Sequence, residues 1–324
     1  MTKGGVRSMS PTRRYAALGL LAAGGAALPA ARAFGQESPA TRELTDADEP
    51  ATRLDTLRSK YEHMLAPVQI NGQGPFSFLL DTGANVSCVS HRLAERLELK
   101  SSETRAVHTV VGVRQRPIVL LDHLQVGPRN RRNVKAPALP IKGPEVDGVL
   151  GVDWLKNQRL VLDFKAKRLE ITRSRNDEGQ PGRVVVVPAR RKYGQLTIVD
   201  ADLGGKRISA IIDSGAQGTL CNSKLREIVR DQEAKAGNRI PPLRLVEMET
   251  LAGENFIGEA LFLPFLRLGG LHLGNVQVTC ADMHVFDIWG LKDSPALVIG
   301  MDLLSQFEQV SLDFGRSQVR FDFI

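Results

Sequence analysis

The sequence predicts an all-β protein built as two similar lobes related by a pseudo-twofold axis, with only short helices. Three observations carry that expectation. The second half of the chain repeats the first, with "FLLDTGANVSCVS" (78–90) overlying "AIIDSGAQGTLCN" (210–222) and "GVLGVDWLKNQ" (148–158) overlying "LVIGMDLLSQF" (297–307). Each half opens on two β-like runs joined by a Gly-containing turn. Helical periodicity is confined to short stretches, such as "SHRLAERLEL" (90–99) with Ser90 placed as its N-cap.

The elements follow in order. Residues 1–33 read as a signal peptide: five basic residues and no acid, then an Ala/Gly-rich apolar run, then Ala31-Arg32-Ala33 as an A-x-A cleavage pattern. Arg13-Arg14 point to export into a bacterial periplasm by the twin-arginine route, with ordinary secretion as the alternative. Residues 34–64 form a polar tether or pro-segment, with a helix expected from Ala51 to His63. The first lobe then covers residues 65–172. It starts with "MLAPVQI", Asn71-Gly72 and "PFSFLL", a hairpin whose Asn-Gly suits a turn needing positive φ. "RSRNDEGQPGR" (173–183) has five charged residues and no apolar one, and reads as a linker. The second lobe, 184–324, begins again with "QLTIVDADL", Gly204-Gly205 and "ISAII". Its offset from the first grows from 132 residues at Asp81 and Asp213 to 149 at Gly151 and Gly300. The extra length is expected around 231–243 and 281–295.

Composition narrows the partners. Of the net charge of +7, five units lie in residues 1–33, so the remainder carries little excess charge and no nucleic-acid partner is expected. No run after the leader reaches the ~18 apolar residues of a membrane span. The basic loop "GPRNRRNVKAP" (127–137) reads as a solvated turn. Asn85-Val86-Ser87 matches a glycosylation sequon, which a bacterial exported chain would leave unused. Six scattered histidines and three cysteines show no metal-ligand spacing, so neither metal nor other cofactor is expected. Cys88, Cys221 and Cys280 read as small buried residues, and an oxidising compartment permits one disulfide among them.

One Asp-(Ser/Thr)-Gly triplet is an ordinary turn sequence. Here it occurs twice, each time after an apolar strand, before an Ala (Ala84, Ala216), and upstream of an apolar-apolar-Gly triplet (Val149-Leu150-Gly151, Val298-Ile299-Gly300). Two such halves packed about a twofold bring Asp81 and Asp213 face to face. Carboxylates that close share one proton, leaving one as general base and the other as general acid. Thr82 and Ser214 are expected to brace the pair across the axis. Gly83 and Gly215 let backbone approach both carboxylates. Asp153 and Asp302, matched between halves, read as helix N-caps, and Asp163 and Asp313 as strand-end structure.

These residues resemble the retropepsin-like aspartic proteases, in a tandem, single-chain version of the bacterial periplasmic kind. The resemblance covers 65–172 and 184–324. It implies a closed β-barrel per lobe, a monomer that is an internal pseudo-dimer, and a polypeptide as substrate. It also implies a flap over the cleft from each lobe, for which "HTVVGVRQ" (108–115, around Gly112) and "METLAGENF" (248–256, around Gly253) are candidates. Asn85 and Gln217, four residues after each aspartate, would contact substrate backbone. Pepsins carry Ser or Thr where Ala84 and Ala216 stand; without that hydroxyl donor, a weakly acidic to neutral optimum is expected. The activity so implied is an aspartic endopeptidase cutting extended segments. A non-catalytic peptide binder on the same fold, or a zymogen awaiting removal of residues 34–64, are the alternatives.

Overall fold

The Asn71-Gly72 turn has positive φ at both residues (51° and 78°), as a two-residue hairpin matched to strand twist requires. The chain is described by a computed structural model covering residues 64–323 apart from 144, 175–182, 193 and 238–242, together with the strands 14–15, 22–23, 52–55 and 57–58. Most of the expected signal peptide, much of the tether and the centre of the linker lie outside the described residues.

The first hairpin joins β1 (Met64–Ile70) to β2 (Gln73–Leu80). There follow β3 (Cys88–Ser90), α1 (His91–Arg96), β4 (Ser101–His108), β5 (Val113–Val126), β6 (Arg129–Leu139) and β7 (Gly148–Leu150). Ser90 caps α1 by accepting the Leu93 N–H. Pairing runs β1–β2–β7–β3–β6–β5 and back to β1, which closes a six-stranded barrel. Alternate residues point inward, so Val68, Ile70, Phe78, Leu80, Val89, Leu124 and Val126 fill its interior.

β8 (Gln158–Asp163), β9 (Arg168–Arg173) and β10 (Val184–Lys192) lead into the second lobe. That lobe contains β11 (Gln195–Leu203), β12 (Lys206–Ile212), β13 (Leu220–Cys221), α2 (Ser223–Lys235), β14 (Leu245–Glu249), β15 (Asn255–Leu268) and β16 (Leu271–Cys280). It ends with α3 (His284–Ile288), β17 (Ala296–Ile299), α4 (Met301–Leu304), β18 (Gln309–Asp313) and β19 (Gln318–Asp322). The circuit repeats: β11–β12–β17–β13–β16–β15 returns to β11. Two closed barrels in a mostly β chain are the architecture expected. The extra length of the second lobe is taken up largely by helix: α2 has 13 residues where α1 has six, and α3 fills part of the other insertion.

A sheet continuous with the second barrel through the β10–β11 pairing joins the lobes. β8 lies antiparallel to β18, flanked by β9 on one side and by β19 and β10 on the other. Val161 pairs with Ser311, 150 residues apart, and the pairing is symmetric about that point, so the pseudo-twofold axis passes between them. Where residues 51–63 are described they are strand, not the helix expected: Thr52–Asp55 lies antiparallel to Arg168–Ile171 and Leu57–Arg58 is a second short strand. β9 otherwise offers an unpaired edge, and a ladder along it satisfies backbone groups that an isolated short helix would leave to solvent. All three cysteines are buried, Cys88 free and Cys221 bonded to Cys280 across β13 and β16.

Candidate active site

β2 and β12 deliver the two aspartates to the axis. Each strand runs parallel to the short strand after its lobe's long hairpins, β7 beside β2 and β17 beside β12. The Asp81 N–H donates to Leu150 O (2.9 Å) and the Asp213 N–H to Ile299 O (3.0 Å). The apolar-apolar-Gly triplets thus clamp the aspartate turns from behind. Gly151 is required there: a Cβ would stand 2.8 Å from Ala84 O. Gly300 is packed as tightly against Gly218.

The turns interlock. Thr82 Oγ1 donates to Ile212 O (3.0 Å) and accepts the Ser214 N–H (2.9 Å). Ser214 Oγ donates to Leu80 O (2.9 Å) and accepts the Thr82 N–H (3.2 Å). Each hydroxyl therefore ties its own turn to the strand that carries the other aspartate. All four groups are buried, where hydrogen bonds are strong and costly to lose.

Asp81 and Asp213 are both fully buried. Asp81 Oδ1 accepts the N–H groups of Gly83 (2.8 Å) and Ala84 (3.0 Å); Asp213 Oδ1 accepts those of Gly215 (2.8 Å) and Gly83 (3.2 Å). A Cβ on Gly83 would collide with the Asp213 carboxyl, and one on Gly215 with that of Asp81. Burial raises the pKa of both. The charge of Asp213 and the hydrogen bond between the two push Asp81 further up, well above the usual carboxylate range. That same bond and the backbone N–H groups hold Asp213 down against its burial. Both carboxyls are raised and titrate as a coupled pair, which therefore retains one proton between them.

The remaining candidates fall around this centre. Asn85 and Gln217 are half-buried beside their turns, but their surroundings differ. Asn85 Oδ1 accepts from Gln195 Nε2, which also donates to Gly83 O (3.2 Å). Gln217 Oε1 has no partner among the described residues. Gln195 is a residue that sequence reasoning missed. It opens β11 of the second lobe, is 1% exposed, and reaches across to the first lobe's turn. Gly112 and Gly253 lie in the tips of the β4–β5 and β14–β15 hairpins, and Gly253 has a φ of +78°. Both tips cross to the opposite lobe. Val110 is fully buried among Ile211, Ala216, Met248, Val285 and Val298, while Leu251 packs against the cluster of Leu79, Ala84, Ile141 and Val149. The tips also meet each other: Glu254 takes a hydrogen bond from Thr109 Oγ1 (2.9 Å) and an ion pair from Arg114 Nε (2.9 Å).

Asp153 and Asp302 are not the N-caps of their short helices, although Asp302 Oδ1 accepts the Leu303 N–H of the first turn (2.8 Å). Asp153 accepts from Ser87 Oγ (2.8 Å), and Asp302 from Thr219 Oγ1 (2.7 Å) and N–H (3.0 Å). Each sits inside its short helix, whose N-cap is Gly151 or Gly300, and ties it to the loop after the aspartate. Asp163 and Asp313 accept N–H groups of the turns that follow their strands. The thiol of Cys88 is pushed far up by burial and by the charge of Asp81, which leaves it inert. Among the described residues no cluster of three or more His, Cys, Asp or Glu could hold a metal ion, and no helix is long and apolar enough to cross a membrane.

Two barrels, each contributing one aspartate to a buried pair on a shared axis, define the class of two-lobed aspartic proteases. A family model described as aspartyl protease matches the chain twice, over residues 66–154 and 199–303, together more than half of its length. The chain belongs to that family, as a tandem of two retropepsin-like units. No match to a curated protein was found.

Proposed function

We propose that the protein is an aspartic endopeptidase that cuts extended polypeptide segments, with Asp81 and Asp213 as its catalytic pair. The observation that carries this reading is the fully buried carboxyl pair held by reciprocal Thr82 and Ser214 bonds. Burying two acids where apolar residues would pack costs stability, a cost that catalysis gives a reason to bear. A non-catalytic peptide binder would need neither aspartate.

The chemistry follows from the protonation state. A water between the carboxyls gives a proton to the ionised member of the pair while its oxygen bonds to the peptide carbonyl carbon. The protonated member gives its proton to the carbonyl oxygen, and a gem-diol forms with no covalent bond to the enzyme. The C–N bond then breaks as the nitrogen takes the proton that the first carboxylate received. One diol hydroxyl returns its proton to the other carboxylate and restores the pair. Substrate enters as a strand, with main-chain bonds for affinity and apolar pockets for selection. Gln195 holds the Asn85 oxygen, which leaves the Asn85 amide NH₂ as the group to donate to a substrate carbonyl. Gln217 keeps a free oxygen for a substrate N–H. Gly112 and Gly253 would lie over the bound strand. The leader's basic and apolar pattern supports export, and a periplasmic site of action is part of the proposal.

The test uses a peptide library with the wild-type chain, Asp81→Asn and Asp213→Asn. Cleavage by the wild type is expected to fall by at least ~10²–10⁴ in each variant, the share owed to acid–base catalysis. Folded variants that still cleave would exclude a shared pair.

A further inference from the structure

The two flaps occupy equivalent positions but are held shut by different chemistry. An offset of 141 residues places Thr250 on Thr109, Gly253 on Gly112 and Glu249 on His108. On the lobes they dock against, an offset of 142 relates the bond from Ile141 N–H to Leu139 O (2.8 Å) to that from Met283 N–H to Ala281 O (3.1 Å). The same offset places His284 on Lys142. Each flap tip takes a backbone bond from the opposite lobe: Lys142 N–H to Leu251 O (3.1 Å) and Val285 N–H to Val110 O (3.4 Å). Beside the first of these sits the ion pair Lys142–Glu249 (2.7 Å). Beside the second, in the corresponding place, sits His108 Nδ1 against His284 Nε2 at 3.0 Å, with the rings stacked at 5.2 Å.

These two ties answer differently to protons. A Lys–Glu pair keeps both charges from about pH 5 to about pH 10. Two imidazoles in contact need one N–H and one lone pair between them. A first added proton leaves that bond in place. A second puts N–H against N–H and charge against charge, and histidine takes up protons over about pH 5–8. The surrounding charges do not undo this. On the flap strands Arg114 and Glu254 pair with each other. On α3 Asp287 lies one turn from His284 and is itself paired with Lys292 (3.3 Å). Lys224 at the start of α2 pairs with Glu227 (3.2 Å), and Asp282 accepts the Ser223 N–H (2.9 Å). Asp293 lines the same hollow, and the strand Ala22–Ala23 beside β4 brings no charge.

We propose that the first flap is a proton-operated gate and the second is not: acidification frees residues 109–112 from α3 while residues 250–253 stay docked, so the cleft opens from one side. The proposal rests on the reading of these hairpins as cleft covers, but its readout needs no cleavage. Backbone hydrogen exchange would be followed at residues 110–112 and 251–253 at pH 7.5 and pH 5.0, each corrected for its intrinsic rate. The second flap serves as internal reference. In the wild type the ratio of first to second flap exchange should rise roughly tenfold or more on acidification. His108→Gln, which cannot be charged, and the double variant His108→Glu/His284→Lys, which copies the other flap's ion pair, should both hold the ratio constant. A wild-type ratio that does not move, or a rise that persists in either variant, would overturn the gate. Absence of peptide cleavage by the wild type would instead count against the protease reading alone.

Discussion

Asp81 and Asp213 stood out because the repeat states their motif twice, once in each half. Chemistry that obeys the pseudo-symmetry is amplified by comparing the halves; chemistry that breaks it is not. Gln195 shows the limit: its counterpart one offset of 132 earlier is His63, so nothing in the repeat marks it, and its partner Asn85 is 110 residues away. The role assigned to it is separable from mere packing. Gln195→Met, similar in size but without a donor, should raise KM for a peptide about tenfold, the worth of a hydrogen bond, with kcat changed little and an unaltered pH profile. A proportional fall in kcat instead would place Gln195 in the chemistry rather than in positioning. The pair itself has a stability signature. Both carboxyls are raised by burial, so the folded chain retains a proton that the unfolded chain releases near pH 4. That contribution is complete below the unfolded pKa and is lost as pH rises through the folded values. Thermal melts should therefore show the wild type losing ground to Asp213→Asn with rising pH, since the variant has only one charge to bury. Parallel Tm curves would contradict a shared proton. With Ala84 and Ala216 adding no hydroxyl donor, the rate optimum should fall at weakly acidic to neutral pH, and a profile peaking below about pH 3 would oppose it.

At the scale of elements, turn chemistry was the most readable signal. Asn71-Gly72 and Ser90 announced a hairpin and a helix that the chain forms. Helix α2 was less visible, although Asn222 caps it by accepting the Leu225 N–H and Leu225 and Val229 share its buried face. Aligning the halves cast only its last turn, 231–235, as the start of an insertion, and the helix as a whole went unread. The tether failed in the other direction. Its local pattern suits a helix, but the open edge of β9 was waiting for a strand, and no local pattern reports an edge. The hairpin tips were found from their glycines, whereas their crossing to the opposite lobe depends on tertiary contact alone. That crossing makes Glu254 a latch between flaps. Glu254→Gln removes the Arg114 ion pair, which is half open to solvent and worth at most ~1 kcal/mol, but also weakens the bond from Thr109. The melting temperature should barely move, while hydrogen exchange at residues 109–112 and 250–254 accelerates together at neutral pH. A change confined to one tip would mean that the flaps are not joined there.

The whole molecule is a dimer written in one chain. Strands β8 and β18 pair across the axis at Val161 and Ser311, and this sheet sets the angle at which the barrels present their aspartates. The sequence announced two halves through its repeat, yet barrel closure through β1–β5 and β11–β15 had no local signature, because it joins strands about fifty residues apart or more. Joining the halves in one chain also allowed them to diverge: Gln195 on one side, a histidine pair on one flap and an ion pair on the other. The aspartate pair is completed only where the lobes meet, so its protonation reports directly on their assembly. The most direct measurement is a titration of the aspartate side-chain carboxyls by ¹³C NMR, in the wild type and in Asp81→Asn and Asp213→Asn. One wild-type carboxyl of the pair should stay protonated well above the ordinary range near pH 4, and its resonance should respond when either partner is replaced. Two carboxyls that ionise independently in the ordinary range, each indifferent to loss of the other, would contradict a proton-sharing pair.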